Sequence, residues 1–145
     1  MDESLLIYYE LTQFDFIFPN AKVFIGNHHL SHLAYSYFTS DFEESAILSV
    51  DGVGEWDTTV LASGKDNTIK RHSEVIYPHS LGLLYSTITA FLGFKPNEGE
   101  YKVMGLAPYG THLFHHKMFD ELIKETDDGF ELNICLLYTS DAADE

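Results

Sequence analysis

The sequence predicts an α/β fold, and three observations carry that prediction. The apolar run "KVFIG" (22–26) hands over to a helix-like segment opening at His28. The β-rich runs "AILSVDG", "TTVLASG" and "TIKRHSEVIYP" follow one another across glycine-containing links. From Ser80 the apolar spacing then changes to steps of three and four.

Taken in order, "MDESLLIYYELTQFDFIF" reads as a core-facing helix followed by a loop at Pro19 and Asn20. Asp2, Glu3, Glu10 and Asp15 interrupt it, so it is neither a secretory signal nor a membrane span, and a cytoplasmic location is the default expectation. Residues 22–26 are expected to form a short buried strand. Asn27 is a helix cap for a helix from His28 to about Phe38, with Leu30, Leu33, Ala34 and Tyr37 available for packing. The three β-rich runs fit an antiparallel meander, with "GVGEW" and "GKDN" as its turns. Leu81, Leu84, Tyr85, Ile88, Phe91 and Leu92 lie on one stripe of a helix that ends at Gly93, which reads as core packing. "KPNEGEYKVMGLAPYG" reads as a surface loop with a short helix. A last helix over roughly 112–125 is expected to bury Leu113, Met118, Leu122 and Ile123, before the turn "DDG" and a strand "FELNI".

At 145 residues, with 45% apolar side chains, the chain is long and apolar enough for one globular core. Its formal charge of -15 argues against nucleic acid or an anionic membrane as a partner. The one dense basic stretch, "KRH" at 70–72, suits the end of a hairpin. Cys135 opens the final eleven residues, "CLLYTSDAADE", which resemble a translated sequencing-library adapter. Residues 135–145 are therefore expected to be a non-native tail, with the natural reading frame truncated near Ile134. Removing Asp141, Asp144 and Glu145 brings the charge from -15 to about -12, so the exclusion of polyanions stands.

Several groups could carry chemistry. On a helix, His28 and His32 lie about 40° apart around the axis and can share a cation, whereas His29 points about 100° away. Surface or core histidines are the plain alternative. No HExxH glutamate is present, which argues against a zinc protease. Asp51 stands at the end of "AILSVD", where its carboxylate could join the two imidazoles or simply stabilise the turn at Gly52. Two imidazoles and one carboxylate would leave coordination positions open for a substrate oxygen. Gly52 and Gly54 permit close backbone approach to a ligand, or serve only a hairpin turn. Lys102 is a cation within "GEYKVMGLAPYG"; it would meet a phosphate or carbamoyl oxygen, or pair with Glu98 or Glu100. His79 would meet the site or cap the helix at Ser80. His112, His115 and His116 read as a solvated helix face.

Together, "HHLSH", "SVDGVGEW", "PHSLGLLYS" and "GFKPNEGEYKVMGLAPYG" resemble the nodulation-protein and antibiotic O-carbamoyltransferase family, over about residues 22–133 and in the family's order. The resemblance implies a ribonuclease-H-like fragment of an acetate kinase/Hsp70/actin (ASKHA) superfamily domain, related to the tRNA threonylcarbamoyl transferases. Residues 1–134 would be an incomplete N-terminal catalytic domain. It implies carbamoyl phosphate and ATP as reactants, a carbamoyl-adenylate made in a C-terminal domain absent from this chain, and transfer to a hydroxyl-bearing small molecule or sugar.

The implied metal, iron or zinc, would be held by His28, His32 and Asp51, with a further carboxylate from later in the chain. Gly52, Gly54, Gly99 and Lys102 would hold nucleotide or phosphate. His29 and His79 are candidates to take the acceptor's proton, because imidazole titrates near neutrality. A hydrogenase-maturation or tRNA-modifying transferase, or a non-catalytic nucleotide-binding module of the same fold, are the alternatives. Without its partner domain the isolated chain is expected to be inactive.

Overall fold

The computed structural model describes residues 22, 24–111, 113 and 115–139. The expected N-terminal helix, the loop at Pro19 and Asn20, and His112 lie outside the described residues.

Helix α1 (His28–Phe38) begins where Asn27, in an extended conformation, accepts the Leu30 N–H through its side chain at 2.9 Å. His29, Leu33 and Tyr37, four residues apart, form its buried stripe. Leu33 and Tyr37 pack with Ile47, Val60 and Ala62 in one core cluster. The last three come from a three-stranded antiparallel sheet of order β1-β2-β3, with β1 Glu44–Gly54, β2 Asp57–Lys65 and β3 Thr68–Ile76. The meander is as expected. Ile47 faces Ala62 and Ser49 faces Val60 across β1 and β2, and the register then slips between Val50 and Gly54. Asp51 therefore sits in an irregular stretch inside β1, three residues before its end.

Of the strand expected at 22–26, the described residues 22 and 24–26 form none. Residues 24–27 carry no regular structure, and Phe24 and Ile25 are 87% and 70% exposed. An apolar run becomes a strand only when a neighbouring strand takes its backbone groups, and none does so among the described residues.

Helix α2 (Leu81–Phe91) is capped by Ser80 and leads to Gly93 at a φ of 80°. Its expected core stripe is only partly realised: Leu84 is buried and Leu81, Tyr85 and Ile88 are half-buried, but Phe91 is 83% exposed. A short helix α3 (Glu100–Leu106) and a 3-10 turn (Ala107–Tyr109) follow, matching the loop-and-helix expectation.

The last helix is shorter than expected. Helix α4 spans His115–Leu122, Leu113 is 77% exposed, and Ile123 opens strand β4 (Ile123–Thr126). That strand pairs with β5 (Gly129–Leu132), Ile123 facing Leu132. A helical period cannot be distinguished from a four-residue strand when both place an apolar residue at 123, and pairing across the "DDG" turn decides it. Helix α5 (Ile134–Thr139) ends the described chain, and no described helix is long and apolar enough to cross a membrane.

Candidate metal centre

The first and fifth residues of α1 and the irregular end of β1 meet. His28 Nε2 lies 2.7 Å from Asp51 Oδ2, His32 Nε2 lies 3.0 Å from His28 Nε2, and His32 Nε2 lies 3.4 Å from Asp51 Oδ2. The three side chains are 42%, 54% and 35% exposed, so the cluster opens to solvent on one side.

One imidazole nitrogen carries either a proton or a lone pair. His28 Nε2 cannot both donate to the carboxylate and accept from His32; if both imidazoles donate to Asp51 Oδ2, their two N–H groups are left only 3.0 Å apart, a close approach that a shared cation removes. A cation satisfies all three atoms at once. A triangle of these sides has a circumradius of about 1.8 Å, so an ion about 2.1 Å from each atom sits about 1.1 Å above its plane. Two histidines and one carboxylate on one face, with further positions open, suit iron or zinc. The residues present therefore fit such an ion.

Asp51 is oriented by its other oxygen, which accepts the Gly52 N–H at 2.7 Å. It both stabilises the glycine turn and faces the histidines, so the two roles weighed for it coexist. The hydrogen bond with His28 holds its carboxyl below the usual carboxylate range, burial opposing this and the Gly52 N–H adding to it.

The surroundings fix these three side chains from three sides. A Cβ on Gly54 would fall 2.2 Å from His28 Cδ2, so only glycine lets β1 approach that ring. Ser80 Oγ accepts the Leu83 N–H and donates to the Gly52 carbonyl at 2.6 Å, tying the start of α2 to the segment carrying Asp51. A Cβ on Gly82 would fall 2.6 Å from the Asp51 carbonyl oxygen, so α2 also reaches β1 through a glycine. His29, fully buried, stands behind the site: Nε2 donates to the Asp57 carbonyl at 2.8 Å and Nδ1 meets the Ser49 hydroxyl at 2.9 Å.

The structure thus joins His28, His32 and Asp51, with Gly54 against them, and the other sequence candidates make contacts outside this trio. His29 has both ring nitrogens engaged and no exposed lone pair, so it serves as a buried support and not as the base considered for it. His79 Nδ1 accepts the Leu132 N–H at 3.0 Å, linking the second hairpin to the end of the first sheet. The Gly52 and Gly99 amides are engaged by the Asp51 and Glu100 carboxylates, so neither is free as a phosphate donor in this arrangement.

Lys102 lies 5.8 Å from the Tyr101 ring centroid and pairs with neither Glu98 nor Glu100. Glu98 instead binds Lys95, and Glu100 holds the Asn97 N–H and the Ser86 hydroxyl. The basic stretch at 70–72 is partly neutralised, Arg71 donating to Asp57 at 2.6 Å.

Ser49, Glu55, Ser80 and Gly82 escaped the sequence reading as site supports. Only Gly82 left a trace, as a glycine in the first turn of a helix that it weakens.

An α/β domain with two imidazoles and a carboxylate converging at a helix–strand junction is the class defined by fold and site. The profile described as "Carbamoyltransferase N-terminus" matches residues 6–143, and the chain belongs to that family. It is 52% identical over 110 residues to the uncharacterized protein sll1178 of Synechocystis sp., covering 75% of this chain and 18% of that protein. Identity to nodulation protein NolNO of Sinorhizobium fredii is 38% over 109 residues, covering 75% and 16%. For nodulation protein NolO of Bradyrhizobium diazoefficiens it is 34% over 103 residues, covering 71% and 19%. The chain matches under a fifth of the length of each of these relatives.

Proposed function

We propose that this chain is part of the N-terminal catalytic domain of an O-carbamoyltransferase, the part that binds a catalytic metal ion. The observation that carries the reading is the convergence of His28 Nε2, His32 Nε2 and Asp51 Oδ2 in a chain of the carbamoyltransferase family. On this reading the meander and α2 belong to a ribonuclease-H-like half of an ASKHA domain. The reactants are carbamoyl phosphate, ATP and a hydroxyl-bearing small molecule or sugar. A carbamoyl-adenylate forms in a C-terminal domain with release of phosphate and pyrophosphate, and here the acceptor hydroxyl, losing its proton, takes the carbamoyl group as AMP leaves.

Iron or zinc bound at the site supplies Lewis-acid stabilisation of the negative charge that develops on a carbonyl or phosphate oxygen. The chain's own residues hold and orient. His28 and His32 present Nε2 from one helix face, and the Gly52 N–H locks Asp51 so that Oδ2 points at them. Gly54 keeps the strand close enough for this geometry. Lys102, an exposed cation on α3, is the residue we assign to a phosphate oxygen of nucleotide or carbamoyl phosphate, with Gly99 shaping the turn before it. His79 Nε2 has no partner among the described residues and is the nitrogen left to take the acceptor's proton.

The test uses the full-length protein, assayed with carbamoyl phosphate, ATP and a polyhydroxylated acceptor, alongside elemental analysis. His28→Ala and His32→Ala should each lose the metal and reduce transfer to background. Lys102→Ala should keep the metal and raise the KM for the phosphate-bearing substrates. Undiminished transfer in a His28→Ala/His32→Ala double variant would overturn the reading. Full metal occupancy without transfer would favour the non-catalytic nucleotide-binding module.

A further inference from the structure

We propose that Glu55, acting through Asn27, is a positioning residue for this metal centre. It latches the β1–β2 turn to the start of α1, so that His28 and Asp51 are held at ligand distance. The inference rests on the metal-binding reading above and names what sets the site's geometry.

Asn27 uses both ends of its amide. Oδ1 accepts the Leu30 N–H at 2.9 Å, and Nδ2 donates to Glu55 Oε2 at 2.8 Å. Serine, threonine or aspartate would cap the helix as well, but only asparagine adds an N–H donor on the same group. Its partner is equally specific. Glu55 occupies the two-residue turn between β1 and β2 at a φ of 62°, a conformation that a residue with a side chain adopts at a cost and keeps when its surroundings hold it.

The placement matters because of what lies beside each residue. Asn27 immediately precedes His28. Gly54 immediately precedes Glu55 and lies against the His28 ring. Asp51 is three residues earlier on the same strand, inside the stretch where the β1–β2 ladder loses register. Ladder hydrogen bonds therefore do not fix the Asp51–Val53 backbone. Ser80 anchors that stretch on one side, through the Gly52 carbonyl. The Glu55–Asn27 pair anchors it on the other and ties it to the helix that carries both imidazoles. Groups hydrogen-bonded directly to metal ligands are worth 10- to 100-fold in metal affinity, and this pair, which acts one step further out through the backbone, falls at the lower end of that range, about 10-fold.

The experiment titrates the full-length, metal-stripped protein with Co2+ against a competing chelator. It records the visible ligand-field spectrum and, separately, urea unfolding of the metal-free form. Asn27→Asp keeps the cap acceptor but loses the donor to Glu55; Glu55→Ala leaves the cap untouched. Both should weaken Co2+ binding about 10-fold and alter the spectrum, with metal-free unfolding midpoints near wild type. Glu55→Gln, which retains an oxygen acceptor, should recover most of the affinity. Wild-type binding and spectra in Asn27→Asp and Glu55→Ala, with binding still abolished by His28→Ala, would overturn the latch alone. Failure of the wild-type protein to bind Co2+, or undiminished binding by His28→Ala, would overturn the metal reading and the latch together.

Discussion

The segment from Asn27 to Ile76 and the segment from Glu100 to Thr139 are built differently. In the first, Leu33, Tyr37, Ile47, Val60 and Ala62 bury one another, and the donor trio rests on the resulting helix–sheet unit. In the second, Leu132 is the one buried residue among those whose side chains are described. Helix α3 is held to α2 by polar contacts, from the Ser86 hydroxyl to the Glu100 carboxylate and from the Tyr85 hydroxyl to the Glu100 carbonyl. The contrast teaches why His28, His32 and Asp51 converge in a defined geometry while Lys102 meets only the neighbouring Tyr101 ring. Packing sets the position of a side chain to fractions of an ångström, whereas polar contacts with no packed core beneath them leave a segment less tightly placed.

The largest expected effect breaks the comparison at its core. Leu33→Ala removes a fully buried side chain and should cost about 2–5 kcal/mol in urea unfolding, while Leu113→Ala should stay within about 0.5 kcal/mol. Equal costs would erase the distinction between the two segments. Next is Gly54→Ala, whose new Cβ collides with the His28 ring; it should destabilise by about 1–3 kcal/mol and also lower metal content. Unchanged metal content would show that the ring has another resting place.

Acid titration compares the segments at smaller scale. The pKa of Asp51 is lowered chiefly by His28, and that of Glu100 chiefly by the Asn97 N–H. A carboxyl whose folded pKa lies below its unfolded value stabilises the protein above the unfolded value, and that contribution fades as pH falls through the folded one. Both contributions should therefore be present above about pH 4.5 and disappear in more acidic solution. Carboxyl NMR titration checks this: His28→Ala should raise the Asp51 pKa and leave that of Glu100 in place. An unmoved Asp51 would argue against the contact.

Local rules made α1, the meander and the Gly93 end of α2 readable, since each shows within a dozen residues of sequence. The His28–His32 pair was readable for the same reason, because four residues return a helix to the same face. Asp51 was found at a strand end although the strand runs on to Gly54, since its glycine neighbour marks the irregularity. What local rules missed depends on partners distant in sequence. Residues 24–26 have no strand beside them among the described residues, β4 exists because β5 pairs with it, and His29 is a support because Ser49 and Asp57 meet it. Ser80, Gly82 and Glu55 become site supports only through contacts 28 or more residues away.

Anomalous diffraction at the metal edge, on crystals of the full-length protein, tests the central claim most directly. The account predicts a single strong peak within about 2.0–2.2 Å of His28 Nε2, His32 Nε2 and Asp51 Oδ2. A peak coordinated by other residues, with those three atoms bonded only to one another or to solvent, would contradict it.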